Sequence, residues 1–136
     1  MDKTLVKYYD YVDYEHKYYK YKLGAEQSAM TNITGFEIEH DYFNLDTNGI
    51  LVIRHGYCWN GSSGPTWDTD STMRASLFHD ALYQMMRERD LSLDWRYLSD
   101  KVYYRLCLED GMWRWRAWFH YRAVRAFGAS SARPSS

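Results

Sequence analysis

Residues 56–83 read GYCWNGSSGPTWDTDSTMRASLFHDALY, in which a loop rich in glycine and serine leads directly into an amphipathic stretch. The loop is punctuated by three glycines and a proline, Gly56, Gly61, Gly64 and Pro65. This density of glycine is typical of turns, or of a backbone that approaches another group closely. Beyond the loop we predict a helix that runs to about Arg87 and has Asp70 or Ser71 as its N-cap. The loop at residues 56–70 therefore separates two different halves of the chain.

The half before the loop, residues 4–55, has the patterns of β-strands. Apolar and polar residues alternate with period two at residues 19–23 and 36–39. Asn48-Gly49 between two apolar runs predicts a hairpin, because both residues tolerate positive φ. Seven tyrosines between Tyr8 and Tyr21 fit either half-buried strands or a surface on which bases or sugars stack.

The half after the loop is predicted to contain two further helices. The first spans about residues 94–109 and stops at Gly111, and the second spans about residues 113–127 with Gly128 at its C′ position. The tail at residues 129–136 is small and polar, and we expect it to be disordered. We therefore predict an α+β single domain over residues 1–128: an N-terminal antiparallel β-sheet with hairpins, followed by a C-terminal three-helix unit.

Composition excludes several classes of protein. The 136 residues carry a net charge of -1, which argues against a nucleic-acid partner for the chain as a whole. Two cysteines, Cys58 and Cys107, show no disulfide framework or metal-finger spacing, and this predicts a reducing compartment. We find neither a signal peptide nor an apolar run long enough to span a membrane.

The first predicted helix carries the residue types of an acid–base site. Its residues Ser76, His79, Asp80 and Tyr83 follow one another at i, i+3, i+4 and i+7, so they share one face. If the first two helices are antiparallel neighbours, His79 and Asp100 lie roughly 12 and 9 Å from the connection between them, nearly level with each other. An Asp beside a His is what a general base needs, since it sets the tautomer and stabilises the imidazolium.

This pattern resembles the phospholipase A2 active site. His79-Asp80-Ala81-Leu82-Tyr83 is similar to the helix motif of that superfamily, and Asp100 is similar to the Asp that orients its His. The resemblance implies three catalytic residues: His79 would deprotonate a water, Asp100 would orient His79, and Tyr83 would hydrogen-bond Asp100. It also implies a Ca²⁺ ion as cofactor, held by Asp80 with the loop carbonyls of Gly61 and Gly64.

A second resemblance covers more of the chain. From Gly35 to Gly128 the sequence resembles a family of small proteins of unknown function from tailed phages and prophages. The resemblance is carried by the hairpin, the Trp-Asn-Gly-Ser-Ser-Gly-Pro loop, the Arg-x-x-Leu-x-His-Asp-x-Leu-Tyr helix and the C-terminal aromatic segment. Asn60 stands where the family usually has Asp, and an amide would bind a metal ion more weakly than a carboxylate. The resemblance implies a phage origin, with the protein in the host cytoplasm or associated with the virion.

The C-terminal segment is basic and aromatic. Residues 111–136 contain five arginines and no acid, interleaved with aromatic residues, and Trp113, Arg114, Trp115 and Arg116 form the candidate interaction surface. One interpretation is peripheral membrane contact, and another is contact with nucleic acid phosphate. A third is a core helix whose apolar stripe comprises Ala117, Trp118, Tyr121 and Val124.

Three functions follow from these patterns. The leading hypothesis is a phage-encoded, phospholipase A2-like hydrolase. The alternatives are a non-enzymatic accessory protein that binds a host or virion protein, in assembly, lysis or defence evasion, and a virion structural subunit. Under either alternative the His and Asp residues would form a buried polar network that only stabilises the fold, with Arg74 paired to Asp68 or Asp70.

Overall fold

The computed structural model describes residues 8–10, 19–61 and 68–134 and confirms the α+β class. Seven strands come first: β1 Tyr8–Asp10, β2 Tyr21–Leu23, β3 Gln27–Met30, β4 Ile38–Glu39, β5 Phe43–Leu45, β6 Ile50–Ile53 and β7 Cys58–Trp59. The helices follow: α1 Asp70–Arg87, a short 3-10 helix Leu93–Trp95, α2 Arg96–Glu109, α3 Arg114–Phe127 and α4 Ala129–Ala132.

The strands form two antiparallel sheets. One has the order β3-β6-β5-β4 and the other the order β1-β2-β7. The predicted hairpin is the β5–β6 pair, and its turn uses Gly49 at φ +91°. Asp46 stabilises this turn, because its Oδ1 accepts hydrogen bonds from the backbone amides of Asn48 and Ile50 at 2.9 and 3.0 Å.

Strand β7 lies inside the segment that the sequence predicts to be irregular, and that prediction is wrong at this point. Tyr21 of β2 pairs with Trp59 of β7, so the start of the loop is part of a sheet. The Trp59 side chain is buried, and its Nε1 donates to Ser76 Oγ of α1 at 3.1 Å. The strand pairing attaches the start of the loop to the sheet, and the Trp59–Ser76 bond attaches it to the helix that carries His79.

Helix α1 has the predicted length, but its N-cap is Thr69 rather than Asp70 or Ser71. The Thr69 backbone amide donates to Thr72 Oγ1 at 2.8 Å, in the manner of a capping box. Almost every residue of α1 from Thr72 to Met86 is buried, because α2 covers one side and the sheets another. Three polar residues of this helix, Thr72, Ser76 and His79, are therefore buried.

The C-terminal residues differ from the expected disordered tail over the range 129–132. These residues form α4, which packs against α1 and buries Ala132 completely. Arg87 Nη1 donates to the Ser131 carbonyl at 2.9 Å and holds the two helices together. Ala132 is the buried residue of α4, whereas residues 129–131 are exposed. None of the helices in the described part of the chain is both long and apolar enough to cross a bilayer.

Arg74 pairs across the helical unit and not with Asp68 or Asp70 as the sequence suggests. Its Nε and Nη2 reach the two carboxylate oxygens of Asp110 at 3.1 and 2.9 Å, and Nη2 also reaches Glu109 at 3.0 Å. The Asp110 side chain is fully buried. A bidentate bond from Arg to a buried carboxylate is among the stronger polar contacts in proteins.

Arg74→Met is therefore expected to lower the free energy of unfolding by about 2 kcal/mol, since the buried Asp110 loses a charged donor. Urea unfolding at pH 7 measures the change. The matched control is Arg114→Met at an exposed position, which we expect to stay within about 0.5 kcal/mol of wild type. Equal effects of the two substitutions would contradict a stabilising role for the Arg74–Asp110 pair.

Candidate active site

The structure brings His79 of α1 and Asp100 of α2 into contact. His79 Nε2 lies 2.7 Å from Asp100 Oδ1, a short hydrogen bond between buried groups. Both residues lie near the middle of their helices, and the short connection places the helices side by side. The predicted geometry, with the two side chains level across the helix hairpin, is present in the structure.

Tyr83 completes this arrangement from one turn further along α1. Its hydroxyl donates to Asp100 Oδ1 at 2.5 Å, and its ring centroid lies 4.0 Å from that of His79. Residues at i and i+4 of a helix are neighbours on one face, which explains how His79 and Tyr83 both reach one carboxylate oxygen. The His79 imidazole is thus held by the hydrogen bond between its Nε2 and Asp100, and by contact with the Tyr83 ring.

Two arginines bind the other side of the Asp100 carboxylate, and sequence analysis missed both. Arg125 of α3 donates from Nη1 to Asp100 Oδ2 at 2.8 Å, while Arg96 Nε lies 3.9 Å from the same oxygen. Arg96 Nε also donates to the Tyr83 hydroxyl at 3.1 Å. The i, i+4 spacing of Arg96 and Asp100 is a signal that could have revealed the first arginine. No comparable signal exists for Arg125, which depends on how α3 packs.

The surroundings of Asp100 keep it ionised. Burial alone would raise the pKa of this carboxyl, but hydrogen bonds from His79, Tyr83 and Arg125 outweigh burial and lower the pKa. Burial and the adjacent Asp100 carboxylate raise the pKa of Tyr83, so its hydroxyl remains a donor. An anionic Asp100 requires His79 to carry a proton on Nε2. The lone pair of the neutral ring is then on Nδ1.

Gly128 provides the space that Tyr83 occupies. A Cβ on Gly128 would lie 2.7 Å from the Tyr83 hydroxyl and 2.5 Å from the Val124 carbonyl. Gly128 ends α3 as predicted, but its φ of -83° is not the left-handed conformation expected at a C′ glycine. The glycine is thus required by the close approach of the Val124 carbonyl and the Tyr83 hydroxyl, and not by a left-handed backbone conformation.

His79 is accessible through a pocket of about 390 Å³. Helix α1 contributes His79, Asp80 and Tyr83 to its wall, the loop contributes residues 58–61, and Ala123, Val124 and Phe127 of α3 form part of the remainder. A pocket of this size suits a small ligand or part of a larger one. Asp100 lies behind His79 and does not line the pocket. In the His79–Asp100 dyad, Asp100 is thus buried and His79 faces the pocket.

Asp80 points toward the loop, as the helix geometry predicts. Burial raises the pKa of its carboxyl from the ordinary value of 3.8 to about 6, although His79, Arg87 and the backbone amide of Asn60 each act to lower the pKa. Neither a hydrogen-bonded cation nor an ion pair within 4 Å is found for Asp80 among residues 8–10, 19–61 and 68–134. Within the described residues, the Asp80 carboxylate thus lies next to His79 and accepts a hydrogen bond from the backbone of Asn60.

Gly61 is required for the loop to approach Asp68. Its φ is +82°, and a Cβ there would lie 2.5 Å from Asp68 Oδ1. The Asp68 carboxylate also accepts a hydrogen bond of 2.5 Å from Tyr21 of β2. Gly64, the other predicted loop glycine, lies outside the described residues. The structure thus places Gly61 beside the pocket and beside a second carboxylate.

The described residues do not complete a calcium site by themselves. Ca²⁺ takes six to eight oxygen ligands, and within the described ranges no group of three or more His, Cys, Asp or Glu side chains is placed to hold a metal ion. Among the described residues, the buried carboxylate of Asp80, whose pKa is raised by burial, is the feature that fits a cation. Any further ligands would have to come from loop carbonyls.

The predicted interaction surface lies apart from the pocket lining. Trp113 and Trp115 are strongly exposed, and Arg114 is exposed beside them. Arg116 is partly buried and reaches Thr69 Oγ1 at 3.4 Å, so it belongs to the packing of α3 against the start of α1. Three of the four predicted residues therefore face solvent.

Comparisons with protein-family models, with curated proteins and with solved structures find no match for this chain.

Proposed function

We propose that this protein is a phospholipase A2-like hydrolase that cleaves a carboxylic ester. The observation that supports the proposal is the His79–Asp100–Tyr83 arrangement at the wall of the pocket, with Asp100 buried behind the imidazole. A network that served only to stabilise the fold would not need its histidine to face a pocket. The resemblance over residues 35–128 supports a phage or prophage origin, in the host cytoplasm or the virion.

The reaction follows from the protonation states. His79 Nδ1 accepts a proton from a water in the pocket, and the water oxygen attacks the ester carbonyl carbon. Asp100 stabilises the imidazolium, while Tyr83 and Arg125 hold Asp100 in place. The tetrahedral intermediate collapses by breaking the bond to the alkoxide. The imidazolium then returns its proton to that oxygen, which gives a carboxylate and an alcohol.

Asp80 has a separate role in this proposal. A hard cation held by Asp80 and by the loop carbonyls of Gly61 and Gly64 would polarise the ester carbonyl. The proton transfers at His79 do not depend on that cation, because the dyad and its supporting residues belong to the chain itself.

The test is hydrolysis of a short-chain phospholipid by wild type, His79→Gln and Asp100→Asn, with and without Ca²⁺. We expect His79→Gln to lower kcat/KM by a factor of about 10² to 10⁴, the usual contribution of a general base. The control His55→Gln changes an exposed histidine and should leave activity unchanged. Circular dichroism verifies that each variant is folded. Activity that survives in His79→Gln, or a wild type inactive under both conditions, would overturn the proposal.

A further inference from the structure

Helix α3 and its N-cap residue expose five large aromatic side chains, which we call the aromatic face. It comprises Trp113, Trp115, Trp118, Phe119 and Phe127, whose exposed fractions are 73, 68, 49, 45 and 65%. Trp115, Trp118 and Phe119 stand at i, i+3 and i+4, so they share one side of the helix. Large apolar side chains grouped in this way mark interaction sites more often than scattered ones do.

The packing of the fold does not require the aromatic face. Helix α3 is held to the protein by its opposite side, where Ala117, His120 and Tyr121 are buried. Under the core-helix interpretation, Trp118 belongs to the buried stripe together with Ala117 and Tyr121, and this is wrong for Trp118. Its ring contacts those of Tyr104 and Tyr121 but remains half exposed. The exposure of the face is thus not explained by folding.

The charges around the aromatic face are positive. Arg122 lies at i+7 from Trp115, and its guanidinium is 5.8 Å from the Trp118 ring centroid. Arg114 is exposed between Trp113 and Trp115. Residues 111–136 contain no acid, and the nearest preceding acids, Glu109 and Asp110, are engaged by Arg74. A partner complementary to this surface is apolar to some depth and carries negative charge at its boundary.

The aromatic face leads to the mouth of the pocket. Phe127, the last residue of α3, is 65% exposed and belongs both to the aromatic face and to the wall of the pocket. Ala123 and Phe127 are part of the pocket wall. A surface that covers the aromatic face as far as Phe127 would therefore lie beside the pocket that His79 lines.

We propose that the aromatic face docks this protein onto the surface of an anionic lipid bilayer. Tryptophan and phenylalanine enter the boundary between headgroups and acyl chains, while Arg114 and Arg122 meet the lipid phosphates. Docking rests on the exposure and charge of α3 alone. The delivery of a lipid ester to His79 rests, in addition, on the proposed hydrolase function.

The experiment is co-sedimentation of the full chain with vesicles of phosphatidylglycerol and phosphatidylcholine, or of phosphatidylcholine alone. We expect Trp115→Ser/Phe119→Ser to lower the partition coefficient on anionic vesicles at least tenfold. Arg122→Glu should weaken binding to the anionic vesicles and have little effect on the neutral ones. The control Tyr42→Ser removes an exposed aromatic residue from the strand half, and binding should be unchanged.

Each outcome separates docking from catalysis. His79→Gln should bind vesicles like wild type, so loss of activity with retained binding affects only the hydrolase proposal. Docking is overturned if wild type does not bind anionic vesicles, or if the Trp115/Phe119 variant binds them equally well. It is also overturned if the same substitutions abolish dimerisation or oligonucleotide binding while vesicle binding is unaffected, because the face would then serve another partner.

Discussion

Asp100→Ala is expected to lower the free energy of unfolding by about 3 to 5 kcal/mol. The substitution removes one fully buried carboxylate that His79, Tyr83 and Arg125 all contact. Their donors would then remain in the interior without an acceptor, and Arg125 would retain its charge. Removal of one member of a buried ionic network costs more than the network contributes as a whole, because the remaining members are left uncompensated.

Urea unfolding at pH 7 measures the effect of Asp100→Ala. Asp90→Ala, at an exposed position, is the matched control and should change stability by less than about 0.5 kcal/mol. A double variant, Asp100→Ala with Arg125→Met, should recover part of the loss, since the uncompensated cation is removed as well. A double variant that is no more stable than Asp100→Ala alone would contradict a stabilising coupling through the Asp100–Arg125 bond.

Asp80→Asn is expected to stabilise the metal-free protein above pH 6 by at most about 3 kcal/mol. The pKa of Asp80 is about 6 in the folded protein against an ordinary value of 3.8, so the folded state binds this proton more tightly than the unfolded state. The resulting stability is fully present below pH 3.8 and is lost as pH rises to about 6. Asparagine carries no charge and avoids this loss.

The pH window distinguishes Asp80 from Asp100. The pKa of Asp100 is lowered by folding, so its stabilising contribution declines only as pH falls below 3.8. Urea unfolding between pH 4.5 and 7.5 in EDTA should therefore show a falling stability for wild type and a flat curve for Asp80→Asn. A slope that persists in the variant would assign the pH dependence to other groups. Asp90→Asn is the exposed control.

Wild type and Asp80→Asn also test whether Asp80 binds Ca²⁺. If Asp80 holds Ca²⁺, millimolar Ca²⁺ should raise the stability of wild type at pH 7.5 and leave Asp80→Asn unchanged. Calorimetric titration should show heat for wild type alone. Equal responses of the two proteins, or no response in either, would contradict a calcium site at Asp80.

Local sequence patterns predicted the secondary structure closely. The Asn48-Gly49 turn and the extent of α1 are both confirmed, since turn chemistry and helical periodicity act over a few residues. The errors in predicted secondary structure occur where a segment is ordered by contact with a distant part of the chain. Strand β7 exists because β2 lies alongside it, and α4 is ordered because α1 accepts Ala132. The two residues of β7 carry no local signal for strand pairing, and the four residues of α4 carry none for a helix.

The candidate site shows the same division. The positions of His79 and Asp100 on two successive helices were sufficient to predict that these two meet, while the contact of Tyr83 with Asp100 was implied by the resemblance to phospholipase A2. Spacing did not predict the support behind Asp100. Arg125 is 25 residues away on another helix, and its contact depends on the angle and register at which α3 packs. A polar residue that acts through tertiary contact has no periodic pattern to reveal it.

The sequence by itself determined the α+β class, the main hairpin, the bounds of the long helices and the likeness of one helix face to an acid–base site. These follow from backbone preferences and from the repeat of the helix, which operate within about two turns of chain. Only the tertiary structure decided that Asp100 is enclosed by two arginines, that Gly128 makes room for Tyr83, and that the aromatic side of α3 faces solvent. Those features depend on which surfaces meet, and burial is a property of the packed chain as a whole.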